Sequence, residues 1–259
     1  MSSSCDVLFV GNAIMDVLAP CEDGFLTDNH IEKGGMNLID EDRALQLYDA
    51  MQDKTQQSGG SAANSAYGMA ALGGSAAFAG QVCKDAVGDA FISDLSAGGV
   101  AFVGQQQPGG LATARSMIFV TPDSVRSMNT YLGVTDFLEP SDIDPKMMAD
   151  AEWIYLEGYR FDGPDSHAAF AKAINACKGH GGRVSLTLSD PFCVERHRDA
   201  FRMMIREDVD LLFCNRAEIL SMYRTDDFEA ALAAAAATSL GSAWAAAPCQ
   251  STAAWRLCR

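Results

Sequence analysis

The second half of the sequence alternates short apolar runs with helical patterns, and this alternation limits the fold more than any other feature. Each apolar run predicts a buried strand, and the stretch after it has the spacing of an amphipathic helix. The predicted strands lie at 153–156, 183–188 and 209–214, and the predicted helices at 167–177, 196–206 and 226–236. Strands that alternate with helices predict a parallel sheet with right-handed crossovers.

The first half contains elements of both kinds. Strands are predicted at 7–10 and 76–82, helices at 40–52 and 85–98, and irregular structure at 22–38. Residues 102–134 alternate polar and apolar side chains around Pro122-Asp123, which predicts a hairpin. With 259 residues, the chain is long enough for one large α/β domain with a small additional part.

A glycine pair precedes a helical stretch of small residues at 59–74, G-G-S-A-A-N-S-A-Y-G-M-A-A-L-G-G. Gly59 and Gly60 allow positive φ or close contact with a ligand. Ser61 is the predicted N-cap, and Asn64 is a strongly polar side chain one turn into the helix. The Asn64 amide can donate and accept hydrogen bonds, which suits a ligand with hydroxyl groups. The alternative is a tightly packed helix in which Asn64 bonds to backbone.

Polar residues follow two predicted strands. Asn12 and Asp16 come after the first strand, and ligands of open α/β sheets bind beyond the carboxyl ends of strands. The Asp16 carboxylate can accept hydrogen bonds from two adjacent sugar hydroxyls, or it can cap a turn. Asn215 and Glu218 follow the strand at 209–214. Asn215 can cap the next helix, with Glu218 in its first turn, where the helix dipole favours a carboxylate.

Composition excludes several classes of protein. The formal net charge of −15 argues against a nucleic-acid partner, which would require a basic face. Eight cysteines occur without a C-x-x-C pair or the spacing of a zinc site, so we expect reduced thiols. No apolar stretch is long enough for a membrane helix, and the N-terminal residues lack the pattern of a signal peptide. We therefore expect a cytoplasmic protein with no membrane partner.

Several of these motifs together resemble those of the PfkB (ribokinase-like) family of carbohydrate and nucleoside kinases. The positions that match its N-terminal signature are Gly59, Gly60, Ala62, Asn64, Ala66 and Gly73, whereas Cys83 stands where the signature ends in glycine. Asn215 to Glu218 resembles the family's Asn-x-x-Glu motif. The strings G-N-A-I-M-D, R-S-M-N-T-Y-L and L-S-D-P-F are most similar to those of the adenosine-kinase-type branch. The resemblance extends over roughly residues 5 to 235.

The resemblance implies a ribokinase-like three-layer α/β sandwich with a mostly parallel central sheet and a small β-lid. The α/β core is expected at 1–14, 41–100 and 137–238, the lid at 15–40 and 101–136, and an atypical tail at 239–259. The implied activity is phosphorylation of a primary hydroxyl of a nucleoside or sugar, adenosine first, with ATP and Mg²⁺. Relatives differ in oligomeric state, so both a monomer and a homodimer are compatible.

The resemblance also assigns roles to individual residues. The substrate-binding residues are expected to be Asn12, Asp16, Gly59, Gly60 and Asn64. Arg126 is the lid cation that could meet a phosphate, although a solvated surface arginine is the alternative. Asn215 and Glu218 are expected to act on the metal and phosphates through water.

The sequence departs from the family at its C-terminal end. It has no Gly-Ala-Gly-Asp turn, which in the family supplies the general base and an anion hole for the transferred phosphoryl group. We therefore expect no catalytic base and weak or absent kinase activity, with a non-catalytic nucleoside- or sugar-binding protein as the alternative. Residues 239–259 contain no acidic residue and no strand pattern, and we interpret them as the product of a shifted reading frame. In that case the strand at 209–214 would be left without a further neighbour.

Overall fold

The computed structural model describes residues 5–237 and the backbone of residues 244–245. Within these ranges the strands are β1 (Val7–Val10), β2 (Ile14–Pro20), β3 (Met36–Leu38), β4 (Thr55–Gly59), β5 (Ala76–Ala79), β6 (Gln81–Cys83), β7 (Val100–Phe102), β8 (Gln105–Gln107), β9 (Ala114–Val120), β10 (Arg126–Tyr131), β11 (Trp153–Glu157), β12 (Arg183–Thr187), β13 (Leu211–Phe213) and β14 (Trp244–Ala245). The helices are α1 (Asp23–Asp28), α2 (Glu41–Ala50), α3 (Ser61–Ala71), α4 (Ala86–Ala97), α5 (Pro145–Asp150), α6 (Ser166–Lys178), α7 (Pro191–Glu207), α8 (Arg216–Tyr223) and α9 (Phe228–Ala236). Three 3₁₀ turns lie at Gly133–Asp136, Pro140–Asp142 and Gly158–Asp162.

The larger sheet is parallel and has the strand order β14-β13-β12-β11-β1-β5-β7. Its central strands are apolar on both faces, as expected for a parallel sheet covered by helices. In β1, Leu8 belongs to the core that contains Phe170 of α6, whereas Phe9 belongs to the core that contains Phe91 of α4. Helices therefore cover both faces of the sheet. The predicted α/β fold with a mostly parallel central sheet is confirmed.

The smaller sheet has the order β3-β10-β9-β2-β4. The predicted hairpin at 102–134 is confirmed, because β9 and β10 pair antiparallel. One face of this sheet packs against α2, with Met15, Val17 and Leu47 in the same core. The strand β4 lies within residues 41–100, which the sequence assigned to the α/β core, but it pairs with β2 in the smaller sheet.

Two stretches of the first half differ from the prediction. The single strand predicted at 76–82 is two strands, β5 and β6, separated by Gly80. A Cβ at Gly80 would lie 2.7 Å from the carbonyl oxygen of Gly11, so glycine lets the chain turn beside the end of β1. The stretch predicted to be irregular at 22–38 contains α1 and β3. Both are short, and among the described strands β3 pairs with β10 alone.

The outer edge of the larger sheet also differs from the prediction. The strand at 209–214 was expected to lack a further neighbour, but β13 pairs in parallel with β14, Leu212 with Trp244 and Phe213 with Ala245. The interpretation of 239–259 as a frame-shifted tail lies outside the described residues, apart from this backbone pairing. Among the described helices, none is both long and apolar enough to cross a membrane.

Candidate functional site

Polar residues collect at one edge of the larger sheet. Because its strands are parallel, their carboxyl ends lie at the same edge, and four adjacent strands each end at such a residue. Glu157 is the last residue of β11, and Asn12, Asp190 and Asn215 follow β1, β12 and β13. The fold therefore brings Asn12 and Asn215, predicted from sequence, to one edge together with two carboxylates.

Glu157 is the centre of a buried hydrogen-bond network at this edge, with only 1% of its surface exposed. Its Oε2 accepts from the backbone N–H of Asn12 at 2.6 Å. Its Oε1 accepts from the N–H of Ala62 at 3.2 Å and from the Ser61 hydroxyl. Burial raises the pKa of Glu157, and these hydrogen bonds oppose the increase. The carboxylate thus ties the end of β1 to the start of α3.

Arg160 lies beside this network and is also buried, with 2% exposed. Its Nη1 donates to Oδ1 of Asn12 at 2.6 Å. Burial lowers the pKa of Arg160 to about 10, and the charges of Glu157, Asp136 and Asp142 oppose this. The amide oxygen of Asn12 therefore already accepts a hydrogen bond from Arg160. The Nδ2 group of Asn12 has no acceptor within residues 5–237, so it can donate to a ligand.

Asp16 lies in β2 of the smaller sheet, and no described residue donates a hydrogen bond to its carboxylate. Burial raises the pKa of Asp16 to about 6, and the positive charge of Arg126 opposes the increase. The carboxyl group lies directly against Gly59, where a Cβ would be 2.2 Å from Asp16 Cγ. Gly60 has φ +93°, and a Cβ there would be 2.4 Å from the carbonyl oxygen of Asn12. Gly59 therefore leaves space for the Asp16 carboxyl group, and Gly60 leaves space for the backbone of Asn12, just after β1.

The start of α3 differs from the prediction in one detail. Gly60, not Ser61, is the N-cap, and Ser61 is the first helical residue, with its hydroxyl turned toward Glu157. Asn64 lies one turn later and its side chain is exposed. The prediction of an N-cap at Ser61 is thus wrong by one residue, because the Glu157 carboxylate satisfies the N–H of Ala62 in place of a capping side chain.

A cavity of about 250 Å³ lies where the smaller sheet meets the 3₁₀ turn Gly133–Asp136. Its apolar wall includes Leu38, Leu111, Leu132 and Phe137. The turn is joined to the end of β1, since Thr135 Oγ1 accepts a hydrogen bond from the N–H of Ala13 at 3.0 Å. The turn that lines the cavity is therefore tied to the segment that follows β1. Arg126, at the start of β10, is exposed.

Asn215 and Glu218 form a reciprocal capping box at the start of α8. The N–H of Glu218 donates to Asn215 Oδ1 at 2.9 Å, and the N–H of Asn215 donates to Glu218 Oε2 at 3.0 Å. Burial raises the pKa of Glu218 to about 7, and the charge of Asp190 adds to this. The capping alternative from sequence is confirmed.

These contacts define what the pair can do with a metal ion. Both carboxylate oxygens of Glu218 already accept hydrogen bonds from Asn215. Mg²⁺ prefers oxygen ligands and keeps several waters, so the pair fits hydrogen bonding to the waters of a hydrated ion better than direct coordination. Within the described ranges, no cluster of three or more metal-ligating side chains is present.

Ser189 and Asp190 form the turn after β12, in the L-S-D-P-F string. Ser189 has φ +72°, a left-handed conformation that is uncommon for a residue with a side chain and that often occurs at functional sites. Its hydroxyl accepts from the N–H of Tyr159 at 3.0 Å, which joins this turn to the end of β11. Asp190 caps α7 by accepting from the N–H of Cys193 at 2.6 Å.

The sequence analysis did not identify Glu157 and Arg160. The signal for Glu157 was present, because a carboxylate directly after the apolar run W-I-Y-L marks the carboxyl end of a buried strand. Arg160 had no such signal, since its burial depends on residues far away in the chain. Phe161, in the 3₁₀ turn Gly158–Asp162, belongs to the core: it is 2% exposed and its ring centroid lies 4.4 Å from that of Phe201.

Two solved structures with a similar fold are nearly half identical to the chain in sequence. The crystal structure of a probable sugar kinase protein from Rhizobium etli CFN 42 is 47% identical to the chain, with a TM-score of 0.85 over 94% of this chain and 73% of that one. The adenosine kinase from Sinorhizobium meliloti is 45% identical, with a TM-score of 0.86 over 94% of this chain and 74% of that one. These structures share the ribokinase-like fold.

A curated relative and a family model agree with them. The ATP-dependent ribose-1-phosphate kinase of Halopiger xanaduensis is 29% identical over 180 residues, which cover 70% of this chain and 57% of that protein. The chain thus spans little more than half the length of this relative. The model of the pfkB family carbohydrate kinases matches residues 37–246, most of the chain. The chain belongs to the pfkB family of carbohydrate kinases.

Proposed function

We propose that the protein binds a nucleoside or sugar as the phosphoryl acceptor of an ATP-dependent kinase, with adenosine as the first choice. The observation that carries this proposal is Asp16, a half-buried carboxylate for which no described residue provides a hydrogen-bond donor. Adjacent hydroxyls of a ribose are donors of the right kind. The similarity to the Sinorhizobium meliloti adenosine kinase supports adenosine, whereas the Rhizobium etli relative supports the broader class of sugars.

The residues around Asp16 have distinct roles in this proposal. Gly59 leaves space for the carboxylate, and Gly60 lets the chain pass Asn12. The Nδ2 group of Asn12, together with Asn64, would donate to acceptor oxygens. The smaller sheet would act as a lid, and Arg126, which is close enough to Asp16 to influence its pKa, would meet a phosphate.

The phosphate side of the site would be held by Asn215 and Glu218 acting on the waters of Mg²⁺. When bound, Mg²⁺ would neutralise the charge on the ATP phosphates. The pKa of Glu218, raised to about 7, would decrease beside such a cation, so that the carboxylate stays ionised.

Transfer itself needs a base, and the 259-residue sequence has no Gly-Ala-Gly-Asp turn. We therefore propose that the 259-residue chain binds the acceptor well and transfers phosphate weakly or not at all. A protein that holds a nucleoside without turnover is the second candidate.

Isothermal titration with adenosine tests the proposal. Asp16→Asn removes the charged carboxylate that would accept hydrogen bonds from two hydroxyls, so we expect the affinity to fall by tens-fold, which corresponds to about 2–3 kcal/mol. The far-UV circular dichroism spectrum should stay unchanged. An equal dissociation constant for both proteins would remove Asp16 from the site and refute the proposal.

A further inference from the structure

Five residues, one from each strand, lie side by side across the smaller sheet. The order is Leu38, Thr130, Ser116, Asp16 and Gln57, and each is the register partner of the next. Partners in adjacent strands point to the same face of a sheet. We call the four polar members, Thr130, Ser116, Asp16 and Gln57, the polar rung.

The polar rung is on the face opposite α2. The residues that alternate with it, Met15, Val17 and Met117, are buried in the core that contains Leu47 of α2. Since successive side chains of a strand point to opposite faces, the polar rung points away from that core. One of its members, Thr130, lines the 250 Å³ cavity together with Leu38.

Ser116 and Thr130 form a hydroxyl pair. Their oxygens are 2.8 Å apart, and the residues are 4% and 7% exposed. Two hydroxyls have two protons, and the bond between them uses one. In the described part of the chain the second proton has no acceptor. A buried hydroxyl donor without a partner is unfavourable, so this pair is suited to an acceptor atom that comes from a ligand.

The spacing of the strands sets the size of that ligand. Neighbouring strands are about 4.8 Å apart, so Thr130, two strands from Asp16, lies about 10 Å from it across the sheet. A single sugar ring at Asp16 does not reach the cavity beyond Thr130. A ribose that carries a flat heterocycle does, and its heterocycle would extend past the hydroxyl pair toward the apolar wall.

We propose that Ser116 and Thr130 are specificity-determining residues, which select a nucleoside over a free sugar by donating a hydrogen bond to an acceptor atom of the heterocycle. The proposal rests on the proposed function, because it takes Asp16 as the group that binds the ribose hydroxyls. It predicts that the hydroxyl pair is needed for a heterocycle with acceptor nitrogens and not for an apolar ring.

Titration of the 259-residue chain with two ribosides tests this. Adenosine has acceptor nitrogens, whereas the benzene C-riboside has the same sugar and an apolar ring; the weaker ligand is measured by competition. In the double variant Ser116→Ala/Thr130→Val, we expect the affinity for adenosine to fall by about tenfold and that for the benzene C-riboside to stay the same. Thr130→Ser keeps the hydroxyl and should keep the affinity for adenosine.

Two controls make the outcomes distinct. Ser185 is 3% exposed and its hydroxyl bonds to the carbonyl of Ile154, so Ser185→Ala removes a buried serine hydroxyl outside the smaller sheet and should leave both affinities unchanged. Two results would overturn the role of the hydroxyl pair: an adenosine affinity that is equal in wild type and double variant, or an equal loss of affinity for both ribosides. Neither result would contradict the role of Asp16. If adenosine does not bind, or binds equally well to Asp16→Asn, the proposed function fails and this inference fails with it.

Discussion

The two carboxylates nearest the glycine pair have opposite surroundings. Glu157 accepts hydrogen bonds from Asn12, Ser61 and Ala62, whereas no described residue donates to Asp16. A buried carboxylate with several donors stabilises the fold around it, but one without donors destabilises the ionised protein. At the scale of residues, Glu157 therefore supports the site and Asp16 remains available to a ligand.

Asp16→Asn should stabilise the protein at high pH. The pKa of Asp16 in the folded state, about 6, is above its ordinary value of 3.8, so the folded state binds the proton more tightly than the unfolded state does. The ionised carboxylate thus lowers stability above pH 6, and this effect disappears as the pH falls toward 4. We expect the variant to gain about 2–3 kcal/mol in urea unfolding at pH 8 and almost nothing at pH 4.

Asp123→Asn provides a control, because the charge of Asp123 has the opposite effect on stability. Hydrogen bonds from Lys33 and Thr121 lower the pKa of Asp123 to about 2, so its charge is favourable in the folded state. Removing that charge should not stabilise the protein at pH 8. A gain for Asp16→Asn that does not depend on pH would mean that burial of its charge is not the cause.

Removal of Glu157 should destabilise the fold. Glu157→Ala leaves two buried backbone donors and the partly buried Ser61 hydroxyl without an acceptor, and we expect a loss of about 3–5 kcal/mol in urea unfolding. Glu157→Gln should lose less, because its amide oxygen still accepts. The neighbouring exposed Glu152→Ala should stay within about 0.5 kcal/mol of wild type. A small loss in Glu157→Ala would show that water satisfies the three donors.

At the scale of elements, the local sequence pattern predicted an element correctly where local interactions stabilise it. The helix predicted at 40–52 is α2, with Asp40 as its N-cap accepting from the N–H of Arg43 at 2.8 Å. The strand β4, with the sequence T-Q-Q-S-G, has no apolar pattern, and it is a strand because it pairs with β2. Pairing partners that are distant in the chain are not visible in local sequence.

Gly59→Ala should act on the ligand through Asp16. An added Cβ would lie 2.2 Å from Asp16 Cγ, so the carboxylate must move, and we expect adenosine affinity to fall about as far as in Asp16→Asn. Gly68→Ala in α3 is the matched control, because a Cβ there meets nothing within 4 Å. Alanine should stabilise that helix by about 0.5–1 kcal/mol and leave affinity unchanged. An unchanged adenosine affinity in Gly59→Ala would mean that the Asp16 carboxylate does not lie against Gly59.

At the scale of the whole molecule, the candidate site draws on both sheets. The sequence placed Asn12, Asp16 and Asn64 near one edge because each follows or precedes a recognisable strand or glycine pair. It could not place Arg160, or Ser116 and Thr130 beside Asp16, since their positions depend on how two sheets meet and on strand register. The roles predicted for these residues remain predictions until ligands are measured.

The purified 259-residue chain should consume ATP slowly or not at all with adenosine. Loss of a general base typically lowers the rate by roughly 10² to 10⁴. A coupled ATP-consumption assay measures this, and Asp16→Ala is the control for acceptor-dependent turnover. Rapid turnover that Asp16→Ala abolishes would show that another carboxylate acts as the base, and Asp190→Asn would then be the variant to assay first.

The hydrogen bond between Arg160 and Asn12 joins residues 148 positions apart. Closing so long a loop costs conformational entropy, so we expect this contact to form after the local strand–helix units of the second half. A refolding chain can thus regain much of its helix content before it has an acceptor site. Recovery of ligand binding would then mark the end of folding, and a protein slowed at that stage would be helical, compact and unable to bind its ligand.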